Sequence, residues 1–337
     1  MEPITVAGTT IRPGESKFVT LPVARMPRGD TLGLVVRAVV GLKPGPVLGL
    51  ESGSHGDEAF AIRTIHEVMD NLDPATLSGA VLGLPVCNPV AFETFTRLTG
   101  IGMTTDAVNL NVVFPGSPTG SLVAQMAHVI AKQYLPHLDA LIDFHSGGLE
   151  SAIDYTLVKQ SGGPVAPKIL ELSKAFGSDY LSITRTDPDA ISSISELAES
   201  MGIPAVVAML GGAVTSGSQA VLDRSVAGVH NVMRALGMLE GAPTQNPRQV
   251  VIGDRKLARH LQGGVFVPAI GFERLGKVVS KGTLVGEVRD PNTYELLEEY
   301  RAPYDETILI MIRGLFGRVF AGDYAFIFGD AATAQRG

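Results

Sequence analysis

The stretch Leu50-Glu-Ser-Gly-Ser-His-Gly-Asp-Glu58 joins two regular elements and carries two side chains that can bind a metal. The apolar run Val47-Leu-Gly-Leu50 is typical of a buried strand, and a helical pattern begins near Asp57. At such a strand end, a histidine and a carboxylate three residues apart can turn toward one point. His55 and Glu58 therefore offer a nitrogen and an oxygen, a mixture that zinc accepts.

A third ligand is predicted from a second strand. The apolar residues from Leu138 onward end in Asp143-Phe-His145-Ser-Gly-Gly148, so His145 also lies at a strand end. Two histidines and one carboxylate, with one position left open, are the ligand pattern of catalytic rather than structural zinc. We therefore predict one Zn²⁺ per chain on His55, Glu58 and His145. The competing interpretation is that the first two residues form only a solvated helix start, as most HxxE pairs do.

The composition describes a compact globular protein and excludes several classes of function. The length of 337 residues allows two domains at roughly 150 residues each. A net charge of −7, with no long basic run and no tryptophan, argues against a nucleic-acid partner. The single cysteine excludes an internal disulfide and fits a reducing compartment. Since neither a signal-peptide pattern nor an apolar run of about 20 residues is present, we expect a cytoplasmic protein without a membrane span.

The order of the patterns divides the chain into two predicted parts. Strand and helix patterns alternate over residues 1–245, which predicts an α/β sheet with helices on both faces, and residues 1–45 of this part are β-rich. Short strands with turns follow over residues 246–337 and predict a small all-β domain. A long irregular stretch from about residue 88 to 121 favours a functional loop, because compact domains seldom contain such stretches otherwise.

Several motifs resemble the succinylglutamate desuccinylase and aspartoacylase family, the deacylase branch of the zinc carboxypeptidases. They are His55-Gly-Asp-Glu58, Asn88-Pro89 followed by Arg97, Asn109-Leu-Asn111, Phe114-Pro-Gly116, Asp143-Phe-His145-Ser-Gly-Gly148, Lys281-Gly282, Gly286-Glu-Val288 and Arg301-Ala-Pro303. Together they cover most of the chain in the family's order, which is more specific than any single motif. The resemblance implies a zinc-carboxypeptidase-like mixed sheet flanked by helices, bound zinc and a deacylase activity on a small-molecule substrate.

The resemblance also implies roles for two further residues. Arg97 follows Asn88-Pro89 as the family's arginine does, so we expect it to bind substrate and to stabilise the oxyanion that develops during amide hydrolysis. Asn111 matches the family's substrate-binding asparagine. The competing interpretations are a solvated loop arginine and a turn-forming asparagine.

Two positions depart from the family pattern. After Asn111 the family has an arginine that binds a substrate carboxylate, whereas this chain has Val112. In Ala205-Val-Val-Ala-Met-Leu-Gly-Gly212 the family places its general base, a glutamate, before Leu-Gly, and this chain has Met209. A thioether cannot act as a base at neutral pH, so the role has moved or is absent. Glu150 is our predicted replacement and Glu51 the alternative, although either could be an ordinary loop carboxylate.

The leading functional hypothesis is a zinc-dependent hydrolase that cleaves a small amide or ester lacking the family's usual α-carboxylate. The alternatives are a zinc-dependent lyase or isomerase on the same scaffold, in which the metal stabilises an enolate-like charge, and a zinc-binding homologue without catalysis. The sequence is compatible with a homo-oligomer and does not identify the substrate.

Overall fold

The computed structural model describes residues 1–100, 108–188, 190–213 and 217–336. The six helices of this part of the chain are α1 (Phe60–Asn71), α2 (Pro89–Thr94), α3 (Leu122–Gln133), α4 (Ala166–Phe176), α5 (Ile194–Ser200) and α6 (Gln219–Ala235). The strands are β1 (Ile4–Val6), β2 (Thr9–Ile11), β3 (Ser16–Arg25), β4 (Thr31–Val40), β5 (Lys43–Glu51), β6 (Ser78–Leu84), β7 (Ala140–His145), β8 (Ser151–Gln160), β9 (Tyr180–Arg185), β10 (Ala205–Gly211), β11 (Val250–Ile252), β12 (Arg255–Arg259), β13 (Gly264–Pro268), β14 (Val278–Ser280), β15 (Leu284–Arg289), β16 (Leu296–Arg301), β17 (Glu306–Arg313), β18 (Gly317–Val319), β19 (Tyr324–Asp330) and β20 (Gln335–Arg336). None of the described helices is long and apolar enough to cross a bilayer.

A large mixed sheet organises these elements. Its main path runs β12-β19-β17-β8-β10-β7-β5-β6-β4-β3. Strand β7 is parallel to both β5 and β10, so the carboxyl ends of these three central strands lie at one edge of the sheet. That edge is where ligands gather in α/β sheets, and it holds the segments that follow Glu51 and His145.

Helices cover both faces of the central sheet. The apolar sides of α3 and α5 pack in one core cluster with β3, β4 and β6, while α1, α4 and α6 pack in a second cluster on the other side of β5, β7 and β10. The central strand β7 is buried at every position, since helices shield both of its faces. The predicted fold class, a mixed sheet flanked by helices with additional β-structure at the C-terminus, is therefore confirmed.

The C-terminal strands have two destinations. Strands β13, β15, β16 and β18 form a separate four-stranded antiparallel sheet, which shares an apolar cluster around Phe266 and Phe326 with strands β17 and β19. Strands β12, β17 and β19 instead extend the large sheet, where β17 pairs with β8 of the preceding part. The division at residue 245 into two domains stays a prediction. In the structure, strands from both sides of that residue pair within one sheet.

Helix α1 begins at Phe60, three residues after Asp57, where the sequence pattern placed its start, and its N-cap is Ala59 without a side-chain hydrogen bond. The described part of the irregular stretch from 88 to 121 contains the short helix α2 and a 3₁₀ turn at Leu110–Val112. Residues 101–107 of that stretch lie outside the described part of the chain.

Candidate metal centre and the cavity beside it

Three buried side chains meet at the carboxyl ends of the central strands. His55 and Glu58 lie in the turn between β5 and α1, and His145 is the last residue of β7. One ligand atom from each lies within 4.8 Å of the other two, and the residues are 4%, 3% and 5% exposed respectively. The structure therefore brings the three predicted ligands together.

Glycine is required within this turn by close backbone packing. A Cβ atom added to Gly56 would lie 2.0 Å from the carbonyl carbon and oxygen of Ala91 in helix α2. That helix is fixed by Asn88, whose Oδ1 accepts the N–H of Ala91 and the hydroxyl of Thr99, and by the proline at its first position. The close approach holds the turn that carries His55 and Glu58 against the loop that carries Arg97.

The carboxylate of Glu58 lies between the two histidines. Its Oε1 is 2.9 Å from Nδ1 of His55, and its Oε2 is 2.9 Å from Nδ1 of His145 and accepts the backbone N–H of Ser146. Burial alone would raise the pKa of Glu58, but His55 and His145 outweigh it and lower the pKa well below its ordinary value. Glu58 is therefore an anion, the form in which a carboxylate binds a metal.

The geometry of His55 fits a metal ligand. Although its Nδ1 is close to Glu58, the contact lacks hydrogen-bond angles, and this buried atom has no hydrogen-bond partner among the described residues. Its other nitrogen, Nε2, lies 3.0 Å from Oδ1 of Asn109. An Nε2–H donated to Asn109 leaves the lone pair of Nδ1 free to bind a metal, which is how ligating histidines are usually oriented.

A buried carboxylate lies beside His145. Nε2 of His145 is 3.2 Å from Oδ1 of the fully buried Asp143, which stands two residues earlier on the same strand. Burial lowers the pKa of His145, but the carboxylates of Asp143 and Glu58 outweigh this effect and raise it well above its usual value. Nδ1 of His145 is hydrogen-bonded to Oε2 of Glu58 at 2.9 Å, so this nitrogen points toward the carboxylate that lies between the two histidines.

A cavity of about 280 Å³ opens beside these ligands, close to the ~300 Å³ lower end of ordinary small-molecule sites. Arg97 and Asn111 both line it. Nη1 of Arg97 donates to Oε1 of Glu58 at 2.6 Å, and Nδ2 of Asn111 lies 3.0 Å from Nε2 of His145. The two residues expected to contact substrate therefore lie next to the predicted ligands, at the wall of one cavity.

A model of the succinylglutamate desuccinylase/aspartoacylase catalytic domain matches residues 44–236, more than half of the chain. The chain belongs to this family. Its members hydrolyse amides, so the predicted class of enzyme, a hydrolase acting on C–N bonds, is confirmed at the level of the family.

Individual relatives are similar over most of the chain. The N-alpha-acetyl-L-2,4-diaminobutyric acid deacetylase of Halomonas elongata is 27% identical over 300 residues, which cover 86% of this chain and 84% of that protein. The crystal structure of a succinylglutamate desuccinylase from a Silicibacter species is 26% identical, with a TM-score of 0.79 and 94% of both chains covered. The product-bound ectoine utilization protein of Ruegeria pomeroyi shares the fold, with a TM-score of 0.83 at 24% identity over 98% of this chain and 100% of that one.

The two departures from the desuccinylase/aspartoacylase pattern have different surroundings. Val112 is 56% exposed and does not line the cavity. Met209 does line it, and on β10 it stands directly opposite His145 of β7. The position at which the family has its base thus lies beside the predicted metal ligands here, but with a thioether.

Neither carboxylate considered as a replacement base lines the cavity. Glu150 forms an ion pair with Arg313, so the assignment of Glu150 as a catalytic residue has no geometric support. Glu51 is fully buried and accepts hydrogen bonds from Ser54 and Cys87. Burial and then the carboxylate of Asp143 raise the pKa of Glu51 well above its ordinary value, which favours the protonated form that cannot act as a base.

Two tyrosines, a lysine and an arginine that line the cavity were not predicted as site residues from the sequence. Tyr155 and Lys159 lie on β8, and Arg255 and Tyr324 come from β12 and β19 of the C-terminal part. For the first two a signal was available, because they lie at alternating positions of a strand that follows His145 closely. Arg255 and Tyr324 carry no such signal, because only the pairing of their strands into the large sheet brings them to the site.

Proposed function

We propose that this chain is a zinc-dependent hydrolase that cleaves the amide bond of a small N-acylated molecule. The observation that carries the proposal is the buried group of His55, Glu58 and His145, whose ligand atoms lie within 4.8 Å of one another at a cavity of small-molecule size. Two nitrogens and one carboxylate match the ligand set of catalytic zinc sites. Bound there, zinc would supply a Lewis acid that polarises a carbonyl and makes water more acidic.

The residues around the ligands have distinct tasks in this proposal. Asn109 accepts the Nε2–H of His55 and so holds its Nδ1 toward the centre, and the buried carboxylate of Asp143 provides negative charge 3.2 Å from Nε2 of His145. Arg97 lies at the cavity wall, where its guanidinium contacts Glu58 and its side chain is 42% exposed. It is the group available to stabilise negative charge that develops on a carbonyl oxygen. Asn111 contributes an amide at the same wall.

The relative from Halomonas elongata suggests where a search for the substrate begins. Its name describes removal of an acetyl group from Nα-acetyl-L-2,4-diaminobutyric acid, an acylated amino acid. We infer that acetylated and succinylated amino acids, with this compound first, are the substrate class to test. Simple amides and esters without a carboxylate belong in the same panel, because Val112 stands where the family has its carboxylate-binding arginine.

The test combines metal content with turnover. We expect the purified protein to hold about one zinc per chain, to release acid and amine from a member of the panel, and to lose this activity with a chelator. His55→Ala and His145→Ala are expected to lose most of the zinc, whereas His66→Ala, a change of an exposed histidine on α1, keeps it. Full zinc content in both ligand variants would contradict the proposed site.

Met209 favours one alternative, a zinc lyase or isomerase, because the family's hydrolytic base is missing. Water enriched in heavy oxygen separates the two reactions. A hydrolase places one solvent oxygen in the released acid, whereas a lyase gives an unsaturated or carbonyl product without that oxygen. A zinc-loaded protein that turns over no member of the panel would favour the non-catalytic alternative.

A further inference from the structure

The cavity extends from the metal ligands across the face of the large sheet. His145, Met209 and Tyr155 are register partners on β7, β10 and β8, so they stand side by side on three adjacent strands. At ~4.8 Å between neighbouring strands, the backbones of His145 and Tyr155 are about 10 Å apart. Tyr155 therefore lies roughly one small molecule away from the ligands.

A cation lies at this end of the cavity. Nη1 of Arg255, on β12, donates to the hydroxyl of Tyr155 at 3.2 Å, and the arginine is partly buried. Within the described ranges of the chain, Arg255 forms no ion pair with a carboxylate, and the cavity wall also includes Leu157, Leu257 and Ile327. A guanidinium among apolar groups without a counter-ion is costly, and an anion that binds there would offset that cost.

The other two cations that line the cavity, Arg97 and Lys159, are each paired with a carboxylate, Arg97 with Glu58 and Lys159 with Glu196. Nζ of Lys159 lies 3.2 Å from Oε1 of Glu196 and donates to the hydroxyl of Ser193 at 2.9 Å. The charge of Lys159 is therefore balanced by helix α5. Arg255, which has no carboxylate partner among the described residues, is the cation that can bind an anionic ligand.

We propose that Arg255, together with the hydroxyl of Tyr155, binds the carboxylate of the acylated substrate. The proposal rests on the proposed function, because it supplies that reaction with its substrate anchor. It gives the role of the family's arginine, lost at Val112, to a residue at the other end of the cavity. The substrate class is then an N-acyl amino acid or a similar amide with a free carboxylate, in contrast to the carboxylate-free substrate expected from the sequence.

The chemistry of the two side chains suits this task. The planar guanidinium presents several N–H donors in the fork geometry that matches the two oxygens of a carboxylate. Burial raises the pKa of Tyr155, so its hydroxyl keeps the proton that it would donate to the same anion. The separation of about 10 Å between the backbones of Tyr155 and His145 leaves room for an acyl group at the metal ligands and a carboxylate at Arg255.

The experiment compares two neighbouring residues of one strand. Arg255→Gln and Lys256→Gln each remove one positive charge from β12, but only residue 255 lines the cavity, and Lys256 is exposed. Arg255→Lys keeps the charge without the fork. The readout is binding to zinc-loaded protein, measured by calorimetry, of a panel of free L-amino acids that includes L-2,4-diaminobutyrate, each paired with its carboxamide. These compounds contain no acyl group to be cleaved, so binding is measured independently of turnover.

The expected result is a preference of the unchanged protein for the carboxylate over the carboxamide by ~10- to 100-fold for at least one amino acid. Arg255→Gln should bring the two affinities within about threefold of each other, Arg255→Lys should retain part of the preference, and Lys256→Gln should retain all of it. No carboxylate preference for any member of the panel, or a full preference in Arg255→Gln, would overturn the proposal. If Arg255→Gln does not fold, a full preference in Arg255→Lys would overturn the bidentate role, and a reduced one would support it.

Failure of the proposed function gives a different result. An intact carboxylate preference that depends on Arg255, with no hydrolysis of any acylated compound, would overturn the hydrolase and leave the anion site standing. If the unchanged protein and Arg255→Gln hydrolyse acylated amino acids at equal rates, the anion site is overturned and the hydrolase stands.

Discussion

Among single residues, Met209 has the greatest influence on the chemistry available to this cavity. It stands beside the predicted ligand His145 on two paired strands, at the position where the family has its base. The only carboxylates among the described residues that line the cavity are Glu58 and Asp143, and both contact ligand histidines. Neither carboxylate is therefore free to act as a general base, and proton transfer is the step of hydrolysis for which these side chains are least suited.

Met209→Glu should accordingly increase hydrolysis. A well-placed general base contributes typically 10²- to 10⁴-fold, so we expect kcat to rise at least ~10-fold on the best substrate of the panel. Met209→Gln, which has a similar shape but cannot act as a base, is the control and should give no increase. Equal gains in both variants, or a loss of activity in Met209→Glu with zinc retained, would show that this position does not serve the reaction.

At the scale of elements, helix α5 is tied to the cavity through Glu196. Ser193 caps the helix, and Glu196 completes the capping box by accepting the backbone N–H of Ser193. The same carboxylate pairs with Lys159 on β8. Burial raises the pKa of Glu196, but Lys159 and then the hydrogen bonds from Ser193 and Ser192 lower it to about 2.

This lowered pKa predicts a pH-dependent contribution to stability. Because the folded pKa of about 2 lies below the ordinary value of 4.5, the contribution is complete above pH 4.5 and is lost as the pH falls from there toward 2. Glu196→Gln should lower the free energy of unfolding by about 1–2 kcal/mol at pH 7 and by progressively less below pH 4.5. Denaturant titrations at pH 7, 5 and 4 measure the difference.

Glu171→Gln is the matched control for this prediction. Glu171 is a more exposed carboxylate that pairs with Lys168 on the surface of α4. Its replacement should change the free energy of unfolding by less than about 0.5 kcal/mol at each pH. A pH-independent loss in Glu196→Gln would mean that the carboxylate contributes through its shape alone.

For the whole molecule, the large sheet joins the two predicted domains and builds the cavity from both. Met311 of β17 pairs with Ile153 of β8, and both residues line the cavity with Met209. Without the C-terminal strands, β8 would lose this partner and expose an apolar edge. The shared sheet predicts that residues 1–245 are not stable by themselves.

Calorimetry tests whether the two predicted domains unfold together. We expect the zinc-loaded protein to unfold in a single transition, because the strands on both sides of residue 245 share one hydrogen-bonded sheet. A chelator should lower the melting temperature of that transition as a whole, since metal binds only the folded ligand set. Two separate transitions, with only one shifted by the chelator, would instead support the predicted division into a zinc-binding domain and an independent C-terminal domain.

Local patterns in the sequence were enough to predict the fold class and the candidate ligands. Strands end in small residues, helices follow with their own spacing, His145 is the last residue of its strand, and His55 and Glu58 lie in the turn that follows theirs. Since parallel central strands bring their carboxyl ends to one edge, these local signals are enough to predict that the three side chains meet.

Only the tertiary structure decided what surrounds those ligands. Glu51 and Glu150 are close to the ligands along the chain, but burial beside Asp143 and pairing with Arg313 direct their carboxylates away from the cavity. Arg255 is far along the chain, yet the order of strands in the sheet brings it to Tyr155. The physical reason is that strand pairing, rather than distance in sequence, sets which side chains share a face.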